Sequence, residues 1–106
     1  MRIPPSAEIS VEKLTHYLLA YRPKNDKSGF LAQAGFDRRQ AGILEQAIRK
    51  MIAENGAVAD RWNEYGTFFR VTGRLQGPNG SLDVVTIWLK RANDGSFRFI
   101  TLKPLR

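Results

Sequence analysis

Cysteine is absent from the 106 residues, and histidine occurs once, at His16. Without thiols there is no disulfide framework, no sulfur nucleophile and no thiolate metal site. One histidine leaves no His/Cys metal cluster, and the ten acidic residues are too scattered for a two-metal carboxylate centre. No metal and no other cofactor is therefore expected. No apolar run approaches the length of a bilayer span, and Met1-Arg2-Ile3-Pro4-Pro5 lacks the apolar core of a signal peptide. Neither the phosphate loop nor the dinucleotide fingerprint occurs. Gly77-Pro78-Asn79-Gly80 is rich in glycine, but it lies between strands and opens no helix, which makes it a turn.

What is present is positive charge: 17 basic against 10 acidic residues, a net charge of +7. The excess belongs to no tail, because residues 1–55 hold 9 basic and 6 acidic residues and residues 56–106 hold 8 and 4. A basic folded domain of this size suits a polyanion, chiefly nucleic acid, or an acidic protein partner. The length predicts one domain over residues 1–106 with a single core.

The first half has helical punctuation. Ser10 is a good N-cap, and Val11, Leu14, Leu18 and Tyr21 form an apolar stripe that Arg22-Pro23 ends. Lys13, His16 and Ala20 fall opposite the stripe, with Tyr17 at its margin. Asp26 caps a short second helix that carries Phe30 and Leu31 and ends at Gly35. Asp37 and Gln40 form a capping box for a third helix, Arg38 to Glu54, with Leu44, Ala47, Ile48 and Met51 inward and a left-handed stop at Asn55-Gly56.

The second half alternates with period two and reads as four strands joined by three glycine-containing turns, at 63–66, 77–80 and 92–95. The predicted fold is α+β, with about three N-terminal helices packed on one face of a four-stranded antiparallel meander. Phe68, Arg70, Thr72 and Arg74 alternate against Phe69, Val71 and Leu75. Val84, Thr86, Trp88 and Lys90 alternate against Val85, Ile87 and Leu89, and Phe99, Thr101 and Lys103 against Ile100 and Leu102. The first set of each strand is expected on an open face, where Arg, Thr, Lys and aromatic rings together suit a ligand carrying phosphates and bases.

Metal-independent RNA cleavage needs a base for the 2′-hydroxyl, donors for the developing phosphorane charge and a proton for the leaving oxygen. The candidates are Arg70, Thr72, Thr86, Trp88, Thr101 and Lys103 on the sheet, with Lys13, His16, Tyr17 and Lys27 on the helical part. Histidine, present only as His16, is the residue type best suited to act as a base near neutral pH. Lys27 stands at a helix start, where the macrodipole disfavours a cation, so another task is implied for it. Each threonine also has a plain reading as a good strand former, and Arg70 and Arg74 as solvating a sheet face.

Several stretches resemble a bacterial family of small domains known as a domain of unknown function. They are Lys13-x-x-x-Tyr17-Leu18-Leu19, Lys27 with Phe30-Leu31 and Gly35-Phe36, Tyr65-Gly66, Val85-Thr86-Ile87-Trp88 and Thr101-x-Lys103-Pro104-Leu105, in that order from about Ile3 to Leu105. The resemblance implies chains of toxin–antitoxin-like pairs and C-terminal tips of polymorphic toxins. It also implies a layout similar to the small ribonuclease fold of barnase, tRNA-cleaving colicins and RelE-like toxins. Lys27, Thr101, Lys103, Thr86 and His16 would then be catalytic, and Arg70, Arg74, Trp88, Lys13 and Tyr17 would bind nucleic acid. Two positions depart from the pattern: Arg22-Pro23 replaces a His-Pro, and Lys103 replaces an aromatic residue. The expected function is a metal-independent ribonuclease toxin acting on RNA. The alternatives are a non-catalytic module for RNA or an acidic protein, such as a small antitoxin or immunity protein, and an accessory protein whose basic face docks a protein. No membrane partner is expected, and the location is cytoplasmic, or that of a delivered toxin.

Overall fold

Two runs of twelve residues, rich in β-branched and aromatic side chains and joined by Pro78-Asn79, form the centre of the molecule. In the computed structural model, which describes residues 1–24 and 26–105, they are β2 (Gly66–Gly77) and β3 (Gly80–Arg91). β1 (Val58–Asn63) and β4 (Phe97–Pro104) flank them in the order β1-β2-β3-β4, every pair antiparallel. The three turns fall where the glycine-containing stretches predict them, with Asn63 opposite Gly66 and Gly77 opposite Gly80.

Helical segments cover one face, as the sequence predicts. The longest, α2 (Ala41–Glu54), follows a 3-10 turn at Arg38–Gln40 whose start is capped by Asp37, with Oδ1 accepting from the Arg39 amide at 2.8 Å. Its buried side chains are Leu44, Ala47, Ile48, Met51 and Ile52, one apolar stripe laid on β2. The approach is close at Gly73, where a Cβ would stand 2.8 Å from Asn55 Nδ2 and 3.1 Å from Met51 Cγ. α2 ends differently from expectation. Asn55 is extended rather than left-handed (φ −125°), and both its amide and its Nδ2 donate to the Met51 carbonyl, at 3.0 and 2.9 Å. The side chain thus does the capping that a left-handed residue performs elsewhere.

α1 (Ser28–Ala32) is a short turn of helix closed by Gly35 at φ +88°, with Phe36 N donating to Leu31 O and Gly35 N to Ala32 O. The first predicted helix is wound wider than expected. Lys13–Leu18 is π-helical, and Leu19 N donates to Leu14 O at 2.9 Å. That winding keeps Leu14, Leu18 and Leu19 buried and turns Val11 and Tyr21 out to solvent, correcting the 3.6-residue stripe. The lead-in also covers the β4 edge. Glu8 N donates to Phe97 O and Phe99 N to Glu8 O, at 2.9 and 2.8 Å. Among the described residues no segment pairs with the outer edge of β1, and all six of its residues are exposed.

The register assigns the faces. Val71, Thr86 and Leu102 are neighbours across three strands, as are Phe69, Trp88 and Phe99, and these rows lie under the helices. The opposite face carries the row Arg70, Ile87, Thr101 and the row Thr72, Val85, Lys103. The expectation for β3 is therefore inverted: Thr86 and Trp88 are each 0% exposed, and Val85, Ile87 and Leu89 face outward. Phe99 is also core. A bulge between Ile87 and Trp88 makes room for an extra residue, Ile100, so Phe99 and Thr101 point to opposite faces although they are two apart.

Candidate functional site on the open sheet face

One carboxylate, that of Asp26, links Arg22 to Ser28. Asp26 Oδ1 accepts from Ser28 Oγ at 2.7 Å, from the Arg22 amide at 3.2 Å and from the Ser28 amide at 3.3 Å. The Ser28 hydroxyl above all, with the backbone bonds, holds its pKa below the ordinary carboxylate value. This tether places Lys27 beside β4. Lys27 Nζ donates to Thr101 Oγ1 at 3.0 Å and lies 3.5 Å from Tyr17 Oη. It stands 5.2 Å from the Tyr17 ring centroid, and the Arg22 guanidinium covers the same ring at 5.0 Å. At the start of α1, Lys27 therefore contacts two hydroxyls, and among the described residues no carboxylate pairs with it.

Burial alone pushes the Tyr17 phenol up. The Lys27 ammonium, hydrogen bonds with Thr101 and Lys27, and the Arg22 guanidinium together outweigh it and hold the phenol below its ordinary value. Two cations beside one phenol favour the phenolate, the form able to accept a proton. Lys27 also forms part of the wall of a depression of about 560 Å³ on the open face, shared with Arg70, Lys103, Val85, Ile87, Asp26 and Asp60. That volume lies within the range of small-ligand sites, about 300–1,000 Å³. Asp60 Oδ1 is 3.8 Å from Arg70 Nη1. Cations stand on both sides of an apolar floor.

Of the residues singled out from sequence, the structure brings Lys27, Thr101 and Tyr17 into contact and places Arg70 and Lys103 around the same depression. The others lie elsewhere. Thr86 Oγ1 donates to the Val71 carbonyl at 3.3 Å and accepts from Trp88 Nε1 at 2.9 Å, and the Trp88 ring packs edge-on against Phe99 at 5.3 Å. Being fully enclosed, neither Thr86 nor Trp88 can touch a ligand. His16 stands exposed, its Nδ1 3.5 Å from Arg38 Nη2 and outside the cluster. Lys13 Nζ donates to the Ile100 carbonyl at 2.8 Å, satisfying the bulge of the edge strand. Arg74 pairs with Asp83 at 3.4 Å.

Sequence reasoning did not select Arg22 or Asp60 as site residues, nor the exposed aromatic pair Trp62 and Tyr65. Arg22 had a signal, its departure from a histidine, but its place over Tyr17 depends on the tether. Among the described residues, no three His, Cys, Asp or Glu side chains gather closely enough to hold a metal ion. Among them, no helix is long and apolar enough to cross a membrane.

Residues 5–106 match the family described as Domain of unknown function (DUF6883), and the chain belongs to that family. No curated protein and no solved structure matches it significantly.

Proposed function

We propose that this family member is a metal-independent endoribonuclease of the toxin type, with the Tyr17–Lys27–Thr101 cluster as its reactive centre. The observation that carries the proposal is the contact of Lys27 Nζ with Thr101 Oγ1 and Tyr17 Oη at the wall of a depression also lined by Arg70 and Lys103. The toxin part rests on the resemblance drawn from the sequence and on the +7 charge.

The chemistry follows from the groups present. The Tyr17 phenolate takes the proton of an RNA 2′-hydroxyl, whose oxygen attacks the adjacent phosphorus. The bond from phosphorus to the 5′-oxygen breaks, and that oxygen takes a proton from the Lys27 ammonium. The products are a 2′,3′-cyclic phosphate and a 5′-hydroxyl. The proton gained by Tyr17 then returns to Lys27 across their 3.5 Å contact, which restores the cluster. Thr101 fixes the lysine, while Arg70 and Lys103 hold flanking phosphates as charge-assisted donors.

A second reading is favoured by the absence of histidine from the cluster: a non-catalytic basic module that holds RNA, or an acidic antitoxin or immunity protein, on the same face. Incubation of the purified protein with total cellular RNA, with and without EDTA, separates the two on a denaturing gel. The ribonuclease proposal expects discrete cleavage insensitive to EDTA and lost in Lys27→Ala. Intact RNA at high protein excess would favour the binding module.

A further inference from the structure

The first hairpin carries two exposed aromatic rings that folding does not account for. Trp62 is 81% exposed and Tyr65 67% exposed, against a Trp88 that is wholly buried. Trp62 lies on β1 opposite Thr67, on the helix side of the sheet but beyond the helices. It borders a depression of about 360 Å³ together with Asn63, Thr67, Lys90 and Arg91. Gly66 and Gly95 contribute backbone only to its rim, so no side chain from either covers the indole. Arg91 also borders a neighbouring depression with Tyr65, Leu89 and Arg98. Trp62 thus stands with two cations and little other apolar surface, whereas Tyr65 shares its depression with Leu89, Ala92 and Glu64 as well as the two arginines.

A protein-docking core gathers several apolar side chains around such a ring, and Trp62 has only the small Ala92 in its depression. Strand addition along β1 is also poorly served, because the bulge between Ala59 and Arg61 interrupts the regular edge. A flat ring bordered by two cations, an amide and a hydroxyl matches one nucleotide of a single strand, with the base on the ring and the phosphate on the cations.

We propose that Trp62, with Lys90 and Arg91, is a stacking subsite for a nucleotide of single-stranded nucleic acid, distinct from the Tyr17–Lys27–Thr101 cluster. It deepens the RNA reading by adding a place where the strand is gripped, and it does not require that the strand be cut.

The test uses intrinsic fluorescence, since the chain has two tryptophans and Trp88 is sealed from ligand. Single-stranded oligo(dA) is the probe, because without a 2′-hydroxyl the proposed cluster cannot cleave it. Oligo(dA) is expected to quench Trp62 emission, less so as salt rises. Trp62→Ala is expected to lose the quenching and to bind labelled oligo(dA) about five- to a hundredfold more weakly by anisotropy, the range for one lost base stack. The remaining Trp88 emission reports that the variant is folded. Absence of quenching, or unchanged affinity in Trp62→Ala, overturns the subsite. Quenching by poly-glutamate and not by oligo(dA) overturns it in favour of an acidic protein. Quenching by oligo(dA) alongside intact RNA keeps the subsite and removes the cleavage.

Discussion

Replacing Thr86 with valine removes one oxygen from the core and changes almost nothing in shape. That oxygen serves two groups: it donates to the Val71 carbonyl at 3.3 Å and accepts from the Trp88 indole at 2.9 Å. The Val71 bond is long, and its loss costs about 0.5 kcal/mol. The indole N–H is the larger matter, because both side chains are 0% exposed and water cannot replace the partner. An orphaned buried donor costs about 1–3 kcal/mol. Valine favours a strand about as well as threonine and returns less than about 0.5 kcal/mol. The expected loss is about 2 kcal/mol, a fall in Tm of about 10 °C for a domain of this size. Urea unfolding followed by tryptophan emission measures it, with Thr86→Ser retaining most of the stability because it keeps the oxygen. If Thr86 lay on the open face, the substitution would fall within about 0.5 kcal/mol of neutral. A neutral result would therefore refute both the hydrogen bond and the face assignment.

Gly77→Ala should also destabilise the fold, by about 1–3 kcal/mol, because the new methyl meets the Ala34 carbonyl and stands 2.9 Å from Phe36 Cε2; thermal unfolding measures it. The cleavage rate should rise with pH through a value below the ordinary phenol pKa, since Tyr17 must lose its proton to act as a base and its neighbours hold that pKa down. Tyr17→Phe should be about 10²–10⁴-fold slower and should lack that limb of the profile, as read from initial rates across a pH series.

The helices and turns were legible because their signals are local. Asp37 caps, the Leu44–Met51 stripe is buried and the hairpins turn where glycine lies between β-rich runs. The faces of β3 were not legible, because an interior strand is apolar on both sides. Val85, Ile87 and Leu89 compete with Val84, Thr86 and Trp88, and Thr86 and Lys90 suggest the wrong choice. Register resolves it by setting Trp88 between Phe69 and Phe99, and the indole, with the larger area to bury, takes the core. Lys90 reaches the rim and lies 6.0 Å from the Phe97 ring centroid. The bulge at Ile100 carries no glycine to announce it, and the π winding of Lys13–Leu18 has no motif of its own.

The cluster was half legible. Lys27 stood out by its place at a helix start and Thr101 by resemblance, and both are in contact. The resemblance implies only a binding role for Tyr17, since nothing in a sequence shows that residues 17, 27 and 101 meet. Trp62 is not legible as a surface ring, because only burial shows which of the two tryptophans is core and which is exposed.

The most direct test of the cluster is single-turnover cleavage in EDTA of an all-ribose oligonucleotide, beside the same strand with 2′-deoxyribose at the cleaved position. The account predicts cleavage of the first only, with 2′,3′-cyclic phosphate ends, and loss of that cleavage in both Lys27→Ala and Tyr17→Phe. Equal cleavage of both strands, or full activity in Lys27→Ala, would contradict it.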